Sequence, residues 1–175
     1  MSLEQAVGDW QQSVARKLRQ DFDQIARCAR LLEPHSLWSR ANAHCNSVGN
    51  LVLHLNGNVR QWIVAGLGGA TFVRDRPAEF AERGPLPCED ILSRLSATVD
   101  EAGAVITSLR PAALADQHVI QGYRVTALAA VFHVAEHFSF HTGQIVHMTK
   151  AIRDVDLSLY DAQGKRITKG GAQPW

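Results

Sequence analysis

The stretch that decides the fold is Thr126-Ala-Leu-Ala-Ala-Val-Phe-His133-Val-Ala-Glu-His137-Phe-Ser-Phe-His141-Thr-Gly-Gln144-Ile. Threonine is a favoured N-cap residue, and no proline or glycine-rich turn interrupts the pattern until about Ile152, so one long helix is predicted. The first half of this helix, residues 127–135, is nearly all apolar, which predicts that it is the most buried part. A helix of this kind needs other helices to pack against.

Three further segments repeat apolar residues at steps of three and four, which is typical of amphipathic helices. They run from about Leu3 to Leu32 before Pro34, from about Ser47 to Gly66, and from about Cys88 to Leu109 before Pro111. Residues 118–125 alternate only weakly and predict a short extended segment. Four helices without a convincing strand pair predict an all-α four-helix bundle.

The connection from Gly68 to Pro87 is rich in glycine, proline and charge. It is too long for a plain connector and is therefore a candidate lid over a site. Its length, against shorter connections elsewhere, would permit a crossover rather than strict up-and-down order. We expect one domain over residues 1–175, with a core at about 3–152 and a tail at 153–175.

Composition limits the classes of function that are expected of this chain. The chain has 175 residues, is 46% hydrophobic and carries a formal charge of +1, which suits one domain and gives no basic footprint for nucleic acid or an anionic membrane. The short basic run Lys165-Arg166 with Lys169 is expected to be solvated. Three cysteines without a Cys-x-x-Cys pair fit a reducing compartment. The start has no signal-peptide pattern, and no apolar run is long enough to span a bilayer, so a cytoplasmic protein is expected.

Histidines supply the best functional clue. His133, His137 and His141 fall at i, i+4 and i+8, so each lies about 40° round the helix from the last and adjacent ones can share a metal ion. The outer two are about 12 Å apart along the axis, which disfavours three ligands from one helix. His54 lies beside a polar strip on the second helix, and His133 is either a substitute ligand or a supporting partner. His35, His44 and His118 are predicted at the surface, and His147 outside the site.

A protease interpretation has to be tested, because His133-Val-Ala-Glu136-His137 matches the inverzincin order His-x-x-Glu-His. Such an enzyme needs a downstream glutamate ligand, and residues 138–175 contain none. Glu136 also projects about 100° away from His137. The zincin order His-Glu-x-x-His, a Gly-x-Ser-x-Gly elbow and a glycine-rich phosphate loop are absent from the sequence, so a peptidase is disfavoured.

Two motifs carry a family resemblance. Ser47-Val-Gly-Asn50-Leu-Val-Leu-His54-Leu-Asn-Gly-Asn58, followed by His137-Phe-Ser-Phe-His141-Thr-Gly-Gln144-Ile, resembles the DinB-like (YfiT-like) superfamily of metal-dependent bundle proteins over about residues 5–150. The loop Arg74-Asp-Arg-Pro-Ala-Glu79-Phe80 resembles that of an uncharacterised branch. Thr142 departs from the many members that have arginine after the last histidine, which puts a role of that arginine in anion binding in doubt here.

The resemblance implies a site and an activity. It implies a divalent metal, most often zinc or nickel with iron or manganese also compatible, held by His54, His137 and His141. It implies up-down-down-up helix order and a homodimer. Better-understood relatives transfer or isomerise small-molecule substrates with low-molecular-weight thiols, whereas others are linked only to DNA-damage induction and have no known reaction.

The chemistry follows from the ligand set. Three neutral imidazoles leave an open coordination position, as in catalytic rather than structural sites. Such an ion can activate a bound water or a thiol, and the sequence does not choose between them. Asn50, Asn58 and Gln144 are candidates to hydrogen-bond a ligand imidazole or a substrate. The predictions are therefore a thiol-dependent, S-transferase-like metalloenzyme or, alternatively, a non-catalytic metal-binding stress-response bundle.

Overall fold

The structure is a computed structural model that describes residues 1–164 and 167. The basic run at residues 165, 166 and 169, which is predicted to be solvated, lies outside the described residues. Within the described part, six α-helices and one strand pair are present. The helices are α1 (Leu3–Arg30), α2 (Pro34–Trp38), α3 (Val48–Val59), α4 (Arg76–Ala81), α5 (Cys88–Ser108) and α6 (Ala127–Arg153). A π-helical turn, Arg60–Ala65, extends α3, and a 3-10 turn, Pro111–Ala115, follows α5.

The mostly helical fold predicted from periodicity is confirmed. The four long segments appear as α1, α3 with its π-helical turn, α5 and α6, and each predicted end lies within a few residues of the observed one. Helix α1 packs against α5 and α6, and α3 packs against the same two helices. Their shared interior holds Leu18, Leu55, Leu95 and Phe138, each at most 1% exposed. The up-down-down-up order stays a prediction.

The all-α interpretation was wrong in one place, because residues 118–125 form a strand pair. Strand β1 (Gln117–Ile120) pairs antiparallel with β2 (Tyr123–Thr126), with Ile120 opposite Tyr123. Gln121 and Gly122 connect the strands and both have positive φ, 55° and 83°, as a type I′ turn requires. This turn could not be predicted from the sequence, because glutamine, unlike asparagine or aspartate, is not a usual residue at its first central position.

Two short helices occur in segments that the sequence predicts as connections. Pro34 ends the pattern of α1 but is the first residue of α2, since proline is tolerated in the first turn of a helix. Within the loop after α3, the Asp75 side chain accepts a hydrogen bond from the Ala78 amide and caps α4. The segment predicted as a lid is therefore partly helical, and α4 packs against α3.

The first half of α6 is less buried than predicted. Leu128 and Phe132 are 46% and 69% exposed, whereas Ala127, Ala130, Val131 and Val134 are fully buried. Successive helical residues turn by about 100°, so a helix that meets its neighbours on one side buries only a stripe, whatever the apolar content of the other side.

Among the described residues, no helix is both long and apolar enough to cross a lipid bilayer. Cys28, Cys45 and Cys88 are free thiols.

Candidate metal centre

His54 is positioned by the start of α3. The Ser47 hydroxyl accepts a hydrogen bond from the backbone N–H of Asn50, and the Asn50 side chain accepts one from the Ser47 N–H, so a reciprocal capping box starts the helix. Two turns further along, His54 faces the interior and is 5% exposed. A buried imidazole needs partners for both of its nitrogens.

The structure brings His54 together with His137 and His141 of α6. Nε2 of His54 lies 2.9 Å from Nε2 of His137. The rings of His137 and His141, one helical turn apart, have centroids 4.4 Å apart, and the centroids of His54 and His141 are 5.2 Å apart. One nitrogen from each of the three rings lies within 4.8 Å of the other two. These are the three residues that the family resemblance implies as metal ligands.

Two of the three rings bond outward through Nδ1. His54 Nδ1 lies 3.0 Å from Oε2 of Glu79, and His141 Nδ1 lies 2.6 Å from Oε1 of Gln144. A carboxylate or amide oxygen only accepts hydrogen bonds, so each Nδ1 carries the ring hydrogen. The lone pair of each ring is then on Nε2, which leaves that nitrogen free to bind a cation.

Glu79 is held by Arg74 in a two-pronged ion pair. Arg74 Nε and Nη2 donate to Oε1 and Oε2 of Glu79 over 2.6 and 2.8 Å, and both side chains are at most 10% exposed. Burial by itself would raise the pKa of the Glu79 carboxyl, but the hydrogen bonds from Arg74 and His54 outweigh it and lower that pKa. Glu79 is therefore a carboxylate at neutral pH and an acceptor for His54.

The segment that carries Glu79 is tied to α3 independently of the histidines. Asn50 Nδ2 donates to the carbonyl oxygens of Glu79 and Glu82 over 2.9 and 3.0 Å, and Arg40 donates to both Asn50 and the Phe80 carbonyl. Asn50, predicted as a partner of a ligand or substrate, thus contacts the backbone around α4 instead of an imidazole. These bonds fasten α4 over His54.

Gly57 makes the close approach of this segment possible. A Cβ atom at this position would lie 1.9 Å from Oε1 of Glu79 and 2.8 Å from Nε of Arg74. No side chain fits there while the ion pair is in place. The ion pair therefore requires glycine at position 57.

His133 is not part of the three-histidine cluster. Its Nε2 lies 3.4 Å from Nδ2 of Asn58, and its ring packs against Trp62, with centroids 4.2 Å apart. Its ring stacks on that of His137 at a centroid distance of 5.5 Å. His133 and Asn58 therefore lie beside the cluster, and the π-helical turn of α3 supplies Trp62.

Burial disfavours the charged form of the histidines on α6. It lowers the pKa of His133 and of His141, and it is the largest cause that lowers the pKa of His137 to about 3, with His141, His54, His133 and Arg74 adding to the effect. With a lowered pKa, each of these three imidazoles carries a single ring hydrogen and no charge at pH 7. Neutral imidazoles are the form that binds metal ions.

Sequence reasoning missed Arg74 and Glu79 as site residues. Their segment is predicted only as a candidate lid and as part of a family resemblance, because neither helical spacing nor a metal-ligand motif links it to His54. Glu79 could have been found by looking for a carboxylate in the candidate lid opposite the helix that carries His54. Metal-binding histidines usually donate the N–H of their other ring nitrogen to such a group.

Comparison with known proteins agrees with the fold. The family described as "Protein of unknown function (DUF1572)" matches residues 5–162. The chain belongs to the DUF1572 family. A crystal structure of a DinB-like protein from Bacillus cereus is similar to this DUF1572 chain, with a TM-score of 0.57 and 13% identity over 75% of this chain and 85% of that one. The likeness to the DinB-like structure shows the fold that the resemblance implied, and the family match is to proteins of unknown function, as expected of an uncharacterised branch. No curated protein matches the chain.

Proposed function

We propose that this DUF1572 protein is a metal-dependent enzyme that holds one divalent ion between His54, His137 and His141. The observation that carries the proposal is the convergence of one buried and two half-buried imidazoles, two of which bond to an acceptor through Nδ1 and so keep the lone pair on Nε2. Nitrogens about 2.1 Å from one ion lie about 3.0 to 3.4 Å apart in right-angled to tetrahedral arrangements. The spacing between His54 and His137, 2.9 Å, is close to this range, and the nitrogens of all three rings lie within 4.8 Å of one another, so a small approach of the rings would complete the site.

The donor set also fits an ion for a chemical reason. Where two Nε2 atoms 2.9 Å apart both carry lone pairs, they repel each other, and a cation between the rings removes that repulsion. Imidazole ligands suit zinc, nickel, iron and copper. We propose zinc or nickel, with manganese or iron as further candidates, because neutral nitrogen ligands favour borderline metals over calcium or magnesium.

The reaction we propose is transfer or isomerisation of a small-molecule substrate with a low-molecular-weight thiol. When bound, an ion with three histidine ligands supplies an open position at which a thiol loses its proton. The carboxylate beside the cluster supports this choice, because both oxygens of Glu79 are occupied by Arg74 and His54 and are not free to act as a general base. A nucleophile that the ion itself activates needs no such base.

Metal content tests the first part of the proposal. Protein purified without an affinity tag should contain about one divalent ion per chain by elemental analysis. His137→Ala and His141→Ala should lose most of this metal, whereas His35→Ala, a change at an exposed histidine of α2, should retain it. Equal metal content in all of these variants would contradict the proposed site.

Thiol binding tests the second part. Cobalt-substituted protein should gain a sulfur-to-metal charge-transfer band when the matching thiol is added, because the thiolate enters the open position. Cobalt binding without a response to any thiol in a broad screen, and without turnover, would favour the alternative, a non-catalytic metal-binding bundle of the stress response. We also propose a homodimer, which light scattering on the purified protein would test.

A further inference from the structure

We propose that Glu79, clamped by Arg74, is a positioning residue that sets the tautomer and the orientation of His54 for metal binding. This inference rests on the proposed function, in that it assigns a role to a residue that is not itself a ligand. It makes the segment around α4 a working part of the site rather than only a cover.

Glu79 contacts the ring of His54 at Nδ1, on the side away from the histidine cluster. Its Oε2 contacts Nδ1, whereas the cluster is formed on the Nε2 side, where His137 lies 2.9 Å away. The two nitrogens of an imidazole direct their bonds away from each other, so a group bonded at Nδ1 does not share an ion bound at Nε2. Glu79 therefore acts on the ion only through His54.

The contacts around Nδ1 favour a hydrogen on this nitrogen. Arg74 Nη2 also lies 3.0 Å from this nitrogen, but its hydrogens have acceptors in Oε2 of Glu79 at 2.8 Å and in the His54 carbonyl at 3.4 Å. If Nδ1 carried a lone pair instead, that lone pair would face the charged oxygen of Glu79 at 3.0 Å without a hydrogen between them. The ring hydrogen therefore sits on Nδ1.

Arg74 keeps Glu79 in the geometry that this bond needs. It binds both carboxylate oxygens, and Nη1 is itself held by Oε1 of Gln61 over 3.0 Å. The backbone of Glu79 is fixed separately by Asn50. The carboxylate is thus held from two sides before any ion binds, which makes the site preorganised.

The chain offers a matched control for this pair. Arg30 and Glu89 form the same two-pronged contact, with Nε to Oε1 and Nη2 to Oε2 both 2.8 Å, but both side chains are more than half exposed and neither contacts a histidine. Glu89→Gln removes the same charge from the same geometry away from the site. Any general effect of charge removal appears in both variants.

The experiment compares Glu79→Gln with Glu89→Gln and the unaltered chain. Each metal-free protein is titrated with Co²⁺ and Zn²⁺, and the ring nitrogens of His54 are observed by ¹⁵N NMR. We expect Glu79→Gln to weaken binding of both ions by about 10- to 100-fold and to alter the cobalt absorption spectrum. Glu89→Gln should leave both unchanged. In the metal-free unaltered chain, the hydrogen should be on Nδ1 of His54, and in Glu79→Gln this preference should be lost.

The possible outcomes separate the two proposals. Unchanged affinity and an unchanged tautomer in Glu79→Gln would overturn the role of Glu79 while leaving the metal site intact. A hydrogen on Nε2 of His54 in the unaltered chain would also overturn it. If the unaltered chain binds neither ion, the proposed function fails, and the tautomer measurement still decides whether Glu79 sets the state of His54. Circular dichroism of each variant shows that the fold is retained.

Discussion

Two arginine–glutamate pairs in this protein have nearly the same geometry and opposite surroundings. Arg30–Glu89 joins α1 to α5 at the surface, where the side chains are 56% and 65% exposed. Arg74–Glu79 makes the same pair of contacts with side chains 4% and 10% exposed. Water screens the charges of the exposed pair and competes for its hydrogen bonds. In the buried pair, each side chain depends on the other for its charge partner and its hydrogen bonds.

The difference teaches that contact geometry alone does not reveal what an ion pair does. A surface pair can be broken because water replaces the lost partner, and it adds little to stability. A buried pair costs desolvation when it forms, so it is weak evidence for stability and invites a functional explanation. Here the explanation is the hydrogen bond from His54 to Glu79.

The largest expected effect comes from breaking the buried pair on one side only. Arg74→Gln leaves the Glu79 carboxylate buried without its cation, and should lower the free energy of unfolding by about 3–5 kcal/mol, as measured by urea denaturation of the metal-free protein. The double variant with Glu79→Gln should be less destabilised, because no charge is then left alone.

Arg30→Gln is the matched control for this change. Because Glu89 stays in water, urea denaturation should show no clear loss of stability. Equal destabilisation by Arg74→Gln and Arg30→Gln would break the comparison between the two pairs.

A smaller effect is expected from filling the space that the buried pair uses. Gly57→Ala places a Cβ against Glu79 and Arg74 and should cost about 1–3 kcal/mol of unfolding free energy. Gly8→Ala in α1 is the control, since no atom lies within 4 Å of its added Cβ. That change should stabilise the helix by about 0.5–1 kcal/mol. Stabilisation by both changes would show that the pair moves aside without cost.

The most gradual effect is on acid stability. Because burial lowers the pKa of His137 from 6.5 to about 3, the unfolded chain binds a proton in this range and the folded chain does not. The unfolding free energy of the metal-free protein should therefore fall as the pH decreases from about 6.5 towards about 3. His137→Asn should flatten this slope, and His35→Asn should not. An unchanged slope in His137→Asn would contradict the low pKa.

The long helices could be predicted because their signal is local and repeated. The N-caps Ser47 and Thr126 mark where α3 and α6 begin, and each accepts a backbone hydrogen bond as expected. The strand pair and the exposure of Phe132 could not be predicted in this way, since the first depends on an unusual glutamine in a turn and the second on which face of α6 meets the core.

Some residues of the candidate site could likewise be predicted from local patterns, and others could not. His137 and His141 are neighbours on one helix, so their contact follows from spacing. The family resemblance implied that His54 joins them, and the structure brings His54 to these two residues. Arg74 and Glu79 could not be found from spacing, because their position depends on how a connecting segment folds back over α3. A local sequence pattern shows which residues lie on one helix. It does not show which residues of another segment pack against that helix.

The wide separation of the ligands along the chain has a consequence for how the protein is made. His54 precedes His137 by 83 residues, so at a synthesis rate of about 5–20 residues per second it leaves the ribosome about 4–17 s earlier. Glu79 follows His54 by only 25 residues. The partner that sets the His54 ring is thus available well before the second ligand, and a ligand set for the proposed ion is complete only once α6 has been synthesised.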